Sequence, residues 1–471
     1  MKEKLEKTFK LFDDKAKKYG LKDKCKTREK ALYSTDDKHV AYFGYIHPNN
    51  NDSSVYSDLS FVGFPNDTGD KYLIAIGVGT NGFAEDYEIA TTPQWRRAFL
   101  KLMPKDKKYY AQCKTSFADI ENGSKTLKEG LDNNDFNSKI YTTYGKLLPA
   151  SIIVDINEDD DKKIAFAWLA QYAKLRDGNK TYTEPDIKSG HKICSVETDQ
   201  EANIRQLLET RRFVILQGAP GVGKTYMANK IAGEEGAYKE VFFTQFHAET
   251  SYTDFIYGIL PDTANKDSLS YREHKGVLLR AIEEASKPEN KTNKYLLVID
   301  EINRANLSSV LGPVFYLFEP SRKDGKFTIN IGGENYSEIP ENLYVLGTMN
   351  TADRSIAVVD YALRRRFAWY NIEPKPFKKE KGKKFHEDIF NAFAEIFENY
   401  ATDDELNLQP GPSYFQTEGV NEETHKTLMS DRLEYELMPL IKEYLNEGLL
   451  SKAKNDFTEL FYKETGKLLF K

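Results

Sequence analysis

The 471-residue chain carries 67 Lys+Arg against 73 Asp+Glu, a formal net charge of −6, with 40% hydrophobic, 13% aromatic and 30% charged residues. At roughly 100–200 residues per domain, this length predicts two to four domains, and the aromatic content excludes wholesale disorder. The acidic balance gives no global nucleic-acid signature, so any DNA contact has to come from a local patch.

Further classes fall away along the chain. No apolar run approaches the ~20 residues that span a bilayer. Met1 to Lys7 mixes acids and bases without an apolar core, so it does not read as a signal peptide. Cys25, Cys113 and Cys194 are too widely spaced for a disulfide framework or a paired-cysteine zinc site. The expectation is a cytoplasmic protein with no membrane partner.

Leu5, Phe9, Phe12, Ala16 and Tyr19 recur at helical spacing, and Gly20 stops that helix. Its other face is rich in lysine and reads as solvated or phosphate-contacting. His39 to Ile46, Leu59 to Phe64 and Tyr72 to Val78 read as strands, and Thr92-Pro93 opens a helix through Met103. Ser151 to Asp155 is a strand, Asn157 to Lys163 an acidic turn, and Ala165 to Leu175 a helix. Residues 176–196, with Asp177-Gly178-Asn179, Glu184-Pro185 and Ser189-Gly190, read as a linker. Residues 1–195 are therefore expected to form a separate α+β domain. Gly77 to Gly82 matches G-x-G-x-x-G after a strand, but no helix follows to receive a pyrophosphate, so it reads as a turn.

From Ala202 helices and strands alternate, as in an α/β core. Phe213 to Leu216 is a buried-type strand leading into Gly218-Ala219-Pro220-Gly221-Val222-Gly223-Lys224-Thr225. This is G-x-x-x-x-G-K-[ST] between a strand and a helix. Its glycines let backbone N–H groups close around phosphates. Lys224 reaches the β/γ phosphates, and the Thr225 hydroxyl suits Mg²⁺. Tyr295 to Glu301 is an apolar strand ending in two carboxylates. Asp300 is placed to hold Mg²⁺, and Glu301 to orient or deprotonate the attacking water. Tyr344 to Asn350 ends a third strand in an amide that can position that water. Leu363-Arg364-Arg365-Arg366-Phe367 puts three arginines on a helix end, where at least one can reach a neighbouring subunit's phosphate. Past residue 372 the chain reads as helical, with Phe385 to Tyr400 and Arg432 to Leu449 at helical spacing. The expected divisions are 1–195, 196–372 as nucleotide-binding core, and 373–471 as helical lid.

These elements, in this order, resemble the AAA+ superfamily: an α/β P-loop core with a helical lid. Asp300 to Asn306 and Met349 to Phe367 resemble the McrB family, the GTP-hydrolysing subunit of modification-dependent restriction systems. Gln245-Phe246-His247, Ser251 to Phe255 and Gly411-Pro412-Ser413-Tyr414-Phe415 are similar to further stretches of that family. The resemblance covers roughly residues 200–450. It implies that Gly218 to Thr225 bind the nucleotide phosphates, and that Thr225 and Asp300 serve Mg²⁺. It implies Glu301 as catalytic acid and Asn350 as the first sensor. Arg365 and Arg366 fall where a trans-acting arginine is supplied, Arg304 is a further contact across the interface, and Asp353 and Arg354 couple neighbouring sites. It also implies a ring hexamer, an McrC-like endonuclease partner that does the cutting, and modified DNA read by the N-terminal domain. A hairpin around Gly332-Gly333 faces either the ring pore and partner or solvent.

No Asn-Lys-x-Asp guanine-reading loop is present, so GTP rests on the resemblance and ATP stays open. Two other readings stand beside the restriction motor: an ATP-driven protein remodeller of the MoxR type, and a nucleotide-switched scaffold. Tyr42, Phe43, Tyr45, Trp95, Tyr109, Tyr110 and Trp168 offer aromatics to a flipped base, although core packing is their ordinary use.

Overall fold

The computed structural model describes residues 2–28, 40–48, 58–79, 92–106, 109–113, 125–195, 199–262, 270–319, 328–352, 361–377 and 382–470. They form two compact units, Met1–Glu197 and Thr198–Lys471.

The first unit is α+β. Its opening helix, Lys2–Lys18, buries Leu5, Thr8, Phe12 and Ala16, the face its spacing predicts. Gly20 then turns left-handed, with φ 77°, and the Leu21 N–H reaches back to the Ala16 carbonyl at 2.9 Å. That is a glycine-capped helix end. The strands Lys26–Thr27, Phe43–Ile46, Leu59–Pro65, Lys71–Val78, Ala150–Asp155 and Ala111–Cys113 pair antiparallel in that order. Helices cover both faces. Phe43, Phe61 and Ile74 pack with Phe12, Trp168 and Tyr172; Phe64, Leu73 and Ile153 pack with Leu127, Leu131 and Ile140. Double coverage explains why Leu59–Pro65 is buried throughout and shows no alternation.

Two readings of this region need correction. Residues 176–196 are not a linker: Lys180–Cys194 is a helix. The Asn179 side chain caps it by accepting the Thr181 N–H at 3.0 Å. Pro185 sits inside it. Gly190 is a packing contact, because a Cβ there would collide with Ala167 of the neighbouring helix. The apparent breakers are thus a cap, a tolerated proline and a close helix crossing. The acidic turn belongs to the helix Asp159–Leu175, whose first turn holds Asp159, Asp160 and Asp161, where negative charge complements the helix dipole. Of the glycine-rich turn, Gly77 and Val78 end the strand Lys71–Val78, while Thr80 to Gly82 lie outside the described residues.

The second unit is built on a parallel sheet with the order Ala368–Asn371, Phe213–Gly218, Leu343–Asn350, Tyr295–Asp300, Glu240–Gln245. The first of these strands in sequence, Phe213–Gly218, lies between the fifth and the fourth, so the order reverses there. Open α/β sheets bind ligands at the carboxyl ends of the strands beside such a switch point. Register brings the functional ends together: Asn350 pairs with Gly218, and Asp300 with Gln245. The hairpin around Gly332-Gly333 is present as Ile329–Ile331 and Glu334–Tyr336, with both glycines at positive φ, 58° and 88°, as a tight hairpin turn requires. Lys326 and Phe327 lie outside the described residues.

Residues beyond 382 are mainly helical. Glu387–Tyr400, Glu422–Arg432, Met438–Asn446 and Lys454–Thr465 share one core around Phe393, Phe397, Leu437, Ile441 and Phe461. The Arg432 to Leu449 helix starts earlier than its spacing suggests, at Glu422. Asn421 caps it, and a π-helical turn at Leu433–Leu437 joins its two halves.

Candidate nucleotide-binding site

The phosphate loop leaves the Phe213–Gly218 strand and ends in the helix Lys224–Ala232. Gly221 and Gly223 adopt φ 77° and 91°, a region side chains disfavour. Lys224 is buried, and its Nζ donates to the Gly218 and Ala219 carbonyls at 3.0 and 2.8 Å. The cation is thus held under the loop. Ala219 and Val222 are buried and pin the loop to the core.

The helical part of the same unit grips this loop. The Gly411 N–H donates to the Pro220 carbonyl at 2.9 Å, and the Ser413 N–H to the Gly221 carbonyl at 3.1 Å. A Cβ on Gly411 would overlap the Gly221 backbone. Position 411 therefore requires glycine for this close approach. A Gly411→Ala chain is expected to bind nucleotide about 10-fold or more weakly, since overpacking costs about 1–3 kcal/mol; equilibrium titration with a fluorescent nucleotide checks it.

The acids sit beside the loop. Asp300 is 6% exposed. Its Oδ1 accepts the Thr225 hydroxyl at 2.9 Å and the Thr348 hydroxyl at 2.6 Å. With its hydrogen engaged by Asp300, the Thr225 oxygen keeps lone pairs for a cation. A hydroxyl and a carboxylate, with room left for water, are the oxygen donors Mg²⁺ prefers, so these residues fit the ion. Glu301 follows in a left-handed backbone conformation, φ 53° and ψ 46°. The Asn350 Nδ2 donates to both its carboxylate oxygens, at 2.6 and 2.7 Å. Arg304 approaches the same carboxylate at 3.5 Å. Asn303, 4% exposed, donates to the Asn350 carbonyl at 3.1 Å.

The structure thus brings together Gly218 to Thr225, Asp300, Glu301, Arg304 and Asn350. Arg364, Arg365 and Arg366 make their contacts outside this group. Arg366 is 11% exposed and pairs with Glu319 at 2.8 Å, and its guanidinium lies over Phe315. Arg365 is 66% exposed and touches the same Glu319 at 3.0 Å. Arg364 lies over Trp369. Asp353 and Arg354 lie outside the described residues. Sequence reasoning missed Thr348 and Asn303. A hydroxyl inside the apolar run Val345 to Met349, two residues before Asn350, was the available signal for Thr348.

In the first unit, Phe43, Tyr45 and Trp168 are core residues, each at most 1% exposed. Trp95 stacks on Phe99, and the Tyr109 hydroxyl donates to Asp161 at 2.6 Å. Tyr109 and Tyr110 line a cavity of about 570 Å³ with Asp155, Asp161 and Lys163, and Tyr42 lines one of about 60 Å³ with Arg28, Phe64, Tyr144, Gly44, Ser60 and Gly77. Several lysines of the first helix are paired within the unit, Lys4 with Asp70 at 2.7 Å and Lys15 with Asp186 at 2.6 Å.

Comparison with known proteins agrees with the sheet and the loop. Residues 213–367 match the AAA domain, dynein-related subfamily. Over 186 residues the chain is 43% identical to the type IV methyl-directed restriction enzyme EcoKMcrB subunit of Escherichia coli strain K12, covering 38% of this chain and 39% of that protein. Over 201 residues it is 25% identical to the type II restriction enzyme BsuMI component YdiS of Bacillus subtilis strain 168, covering 35% of this chain and 58% of that protein. The chain thus matches less than two thirds of the length of either relative. A solved structure from Cytophaga hutchinsonii, of which 80% is covered along with 56% of this chain, has 15% identity and a TM-score of 0.27. Strand order, phosphate loop and relatives converge: residues 213–367 form an AAA domain of the dynein-related subfamily, within a segment similar to the McrB subunit.

Proposed function

We propose that this chain is the GTP-hydrolysing motor of a modification-dependent restriction system acting against foreign DNA. It would work as a ring hexamer, read modified DNA through residues 1–195, and drive an McrC-like endonuclease. The core and lid divide near residue 372 in this reading. The 43% identity to a subunit named as part of a methyl-directed restriction enzyme carries it.

The chemistry follows from the site. Gly218 to Thr225 wrap the phosphates, and Lys224 offers its charge to them. Thr225 and Asp300 would hold Mg²⁺, which would supply positive charge against the phosphates. Glu301 takes a proton from water as the water oxygen bonds to the γ-phosphorus. The bond to the β–γ bridging oxygen breaks, leaving nucleoside diphosphate and phosphate. Asn350 aims the base by donating to both its oxygens. Arg365 supports the developing charge from the neighbouring subunit, while Arg304, Asp353 and Arg354 belong to the subunit boundary. DNA reading rests on the same similarity to a methyl-directed restriction subunit.

The nucleotide is tested by comparing kcat/KM for GTP and ATP on the full chain. Preference for GTP is expected. Preference for ATP, with stimulation by protein and none by DNA, would overturn the GTP and restriction assignments in favour of protein remodelling.

A further inference from the structure

Thr348 lies two residues before Asn350 in the third strand, and it touches both acids. It is 1% exposed within the strand Leu343–Asn350. Its hydroxyl donates to Asp300 Oδ1 at 2.6 Å and accepts the Glu301 backbone N–H at 3.0 Å.

The local backbone explains the need. Pairing between the two central strands runs to Ile299 opposite Gly347. Glu301 then turns left-handed, a conformation that strains any residue with a Cβ. That turn takes its N–H out of the ladder, and a buried N–H needs another acceptor. Thr348 supplies one from the adjacent strand. The same hydroxyl uses its only hydrogen on Asp300, the acid that also receives Thr225. A single side chain therefore ties the bend at Glu301 to the carboxylate at Asp300. Two residues on, Asn350 fixes the other end of Glu301, its carboxylate. The strand end grips Glu301 at its backbone and its side chain.

We infer that Thr348 is a positioning residue that locks the water-activating acid and the cation-side acid into one rigid unit. The inference rests on the hydrolysis reading above. Valine matches threonine in shape but neither donates nor accepts; serine keeps the hydroxyl.

The test uses full-length Thr348→Val and Thr348→Ser chains. It reads nucleotide affinity as a function of Mg²⁺, steady-state turnover and Tm. For T348V, kcat should fall on the order of 10- to 100-fold, the loss that small misplacements of reacting groups produce. KM should change little by comparison, and more Mg²⁺ should be needed for half-maximal nucleotide binding. T348S should restore both. A T348V chain with wild-type kcat and Mg²⁺ dependence would overturn the inference. So would T348V and T348S chains that lose Tm and nucleotide stoichiometry alike, since the role would then be structural. A wild-type chain that binds nucleotide yet turns over neither GTP nor ATP would overturn the hydrolysis reading itself, and this inference with it.

Discussion

Replacing Glu301 by Gln is expected to lower nucleotide turnover by about 10²- to 10⁴-fold, the usual contribution of a positioned general base. Nucleotide affinity should change little. Glutamine keeps the size of the side chain and one acceptor oxygen for Asn350, whose Nδ2 now meets both carboxylate oxygens at 2.6 and 2.7 Å. It loses the charge and the ability to take a proton. The phosphate loop and Asp300 do not depend on that carboxylate for their contacts: Lys224 bonds to Gly218 and Ala219, and Asp300 to Thr225 and Thr348. Binding and turnover should therefore separate cleanly. Single-turnover hydrolysis beside equilibrium nucleotide binding measures both. A variant that keeps near-native turnover would remove Glu301 from the mechanism.

Arg365→Ala and Arg366→Ala are expected to fail in different ways. Arg365 is 66% exposed, and its contact with Glu319 lies at the surface, where an ion pair contributes about 0–1 kcal/mol. Removing it should leave Tm nearly unchanged. If it reaches the neighbour's phosphates, turnover should fall about 10³-fold or more, as loss of an arginine finger does. Arg366 is 11% exposed against a Glu319 that is 19% exposed. Deleting one partner of a largely buried pair costs about 3 kcal/mol or more. Arg365 remains beside Glu319 and offsets part of that loss. Arg366→Ala should therefore lower Tm, with activity falling in step with the folded fraction. Thermal melts and turnover on the two variants separate these outcomes.

The site was legible in the sequence wherever chemistry demands a fixed order of residue types. The phosphate loop needs its glycines, lysine and threonine in register between a strand and a helix. The apolar run Tyr295 to Glu301 announces itself as a strand ending in acids, and the observed strand stops one residue short, at Asp300, because Glu301 turns left-handed. What stayed hidden depends on contacts distant in sequence. Arg365 and Arg366 are neighbours in the chain, and Glu319 and Phe315 decide which of them is buried. Thr348 gains its role from Asp300 and Glu301, 48 and 47 positions away. The helix Lys180–Cys194 was hidden because local signals mislead there: Pro185 and Gly190 are poor helix formers, and packing against the Asp159–Leu175 helix overrides them. Among the N-terminal aromatics, sheet register separates core Phe43 and Tyr45 from cavity-lining Tyr42, although all three are close in sequence.

The central claim is that an acid from one chain and an arginine from its neighbour complete each hydrolytic site. The direct measurement is nucleotide turnover of an equimolar mixture of Arg365→Ala and Glu301→Gln chains. Each variant alone lacks one part at every site. In a mixed assembly, an Arg365→Ala chain keeps its Glu301 and can receive Arg365 from a Glu301→Gln neighbour. Turnover well above the sum of the two separate variants is the predicted result. Turnover equal to that sum, with mixed assemblies shown to form, would contradict the account.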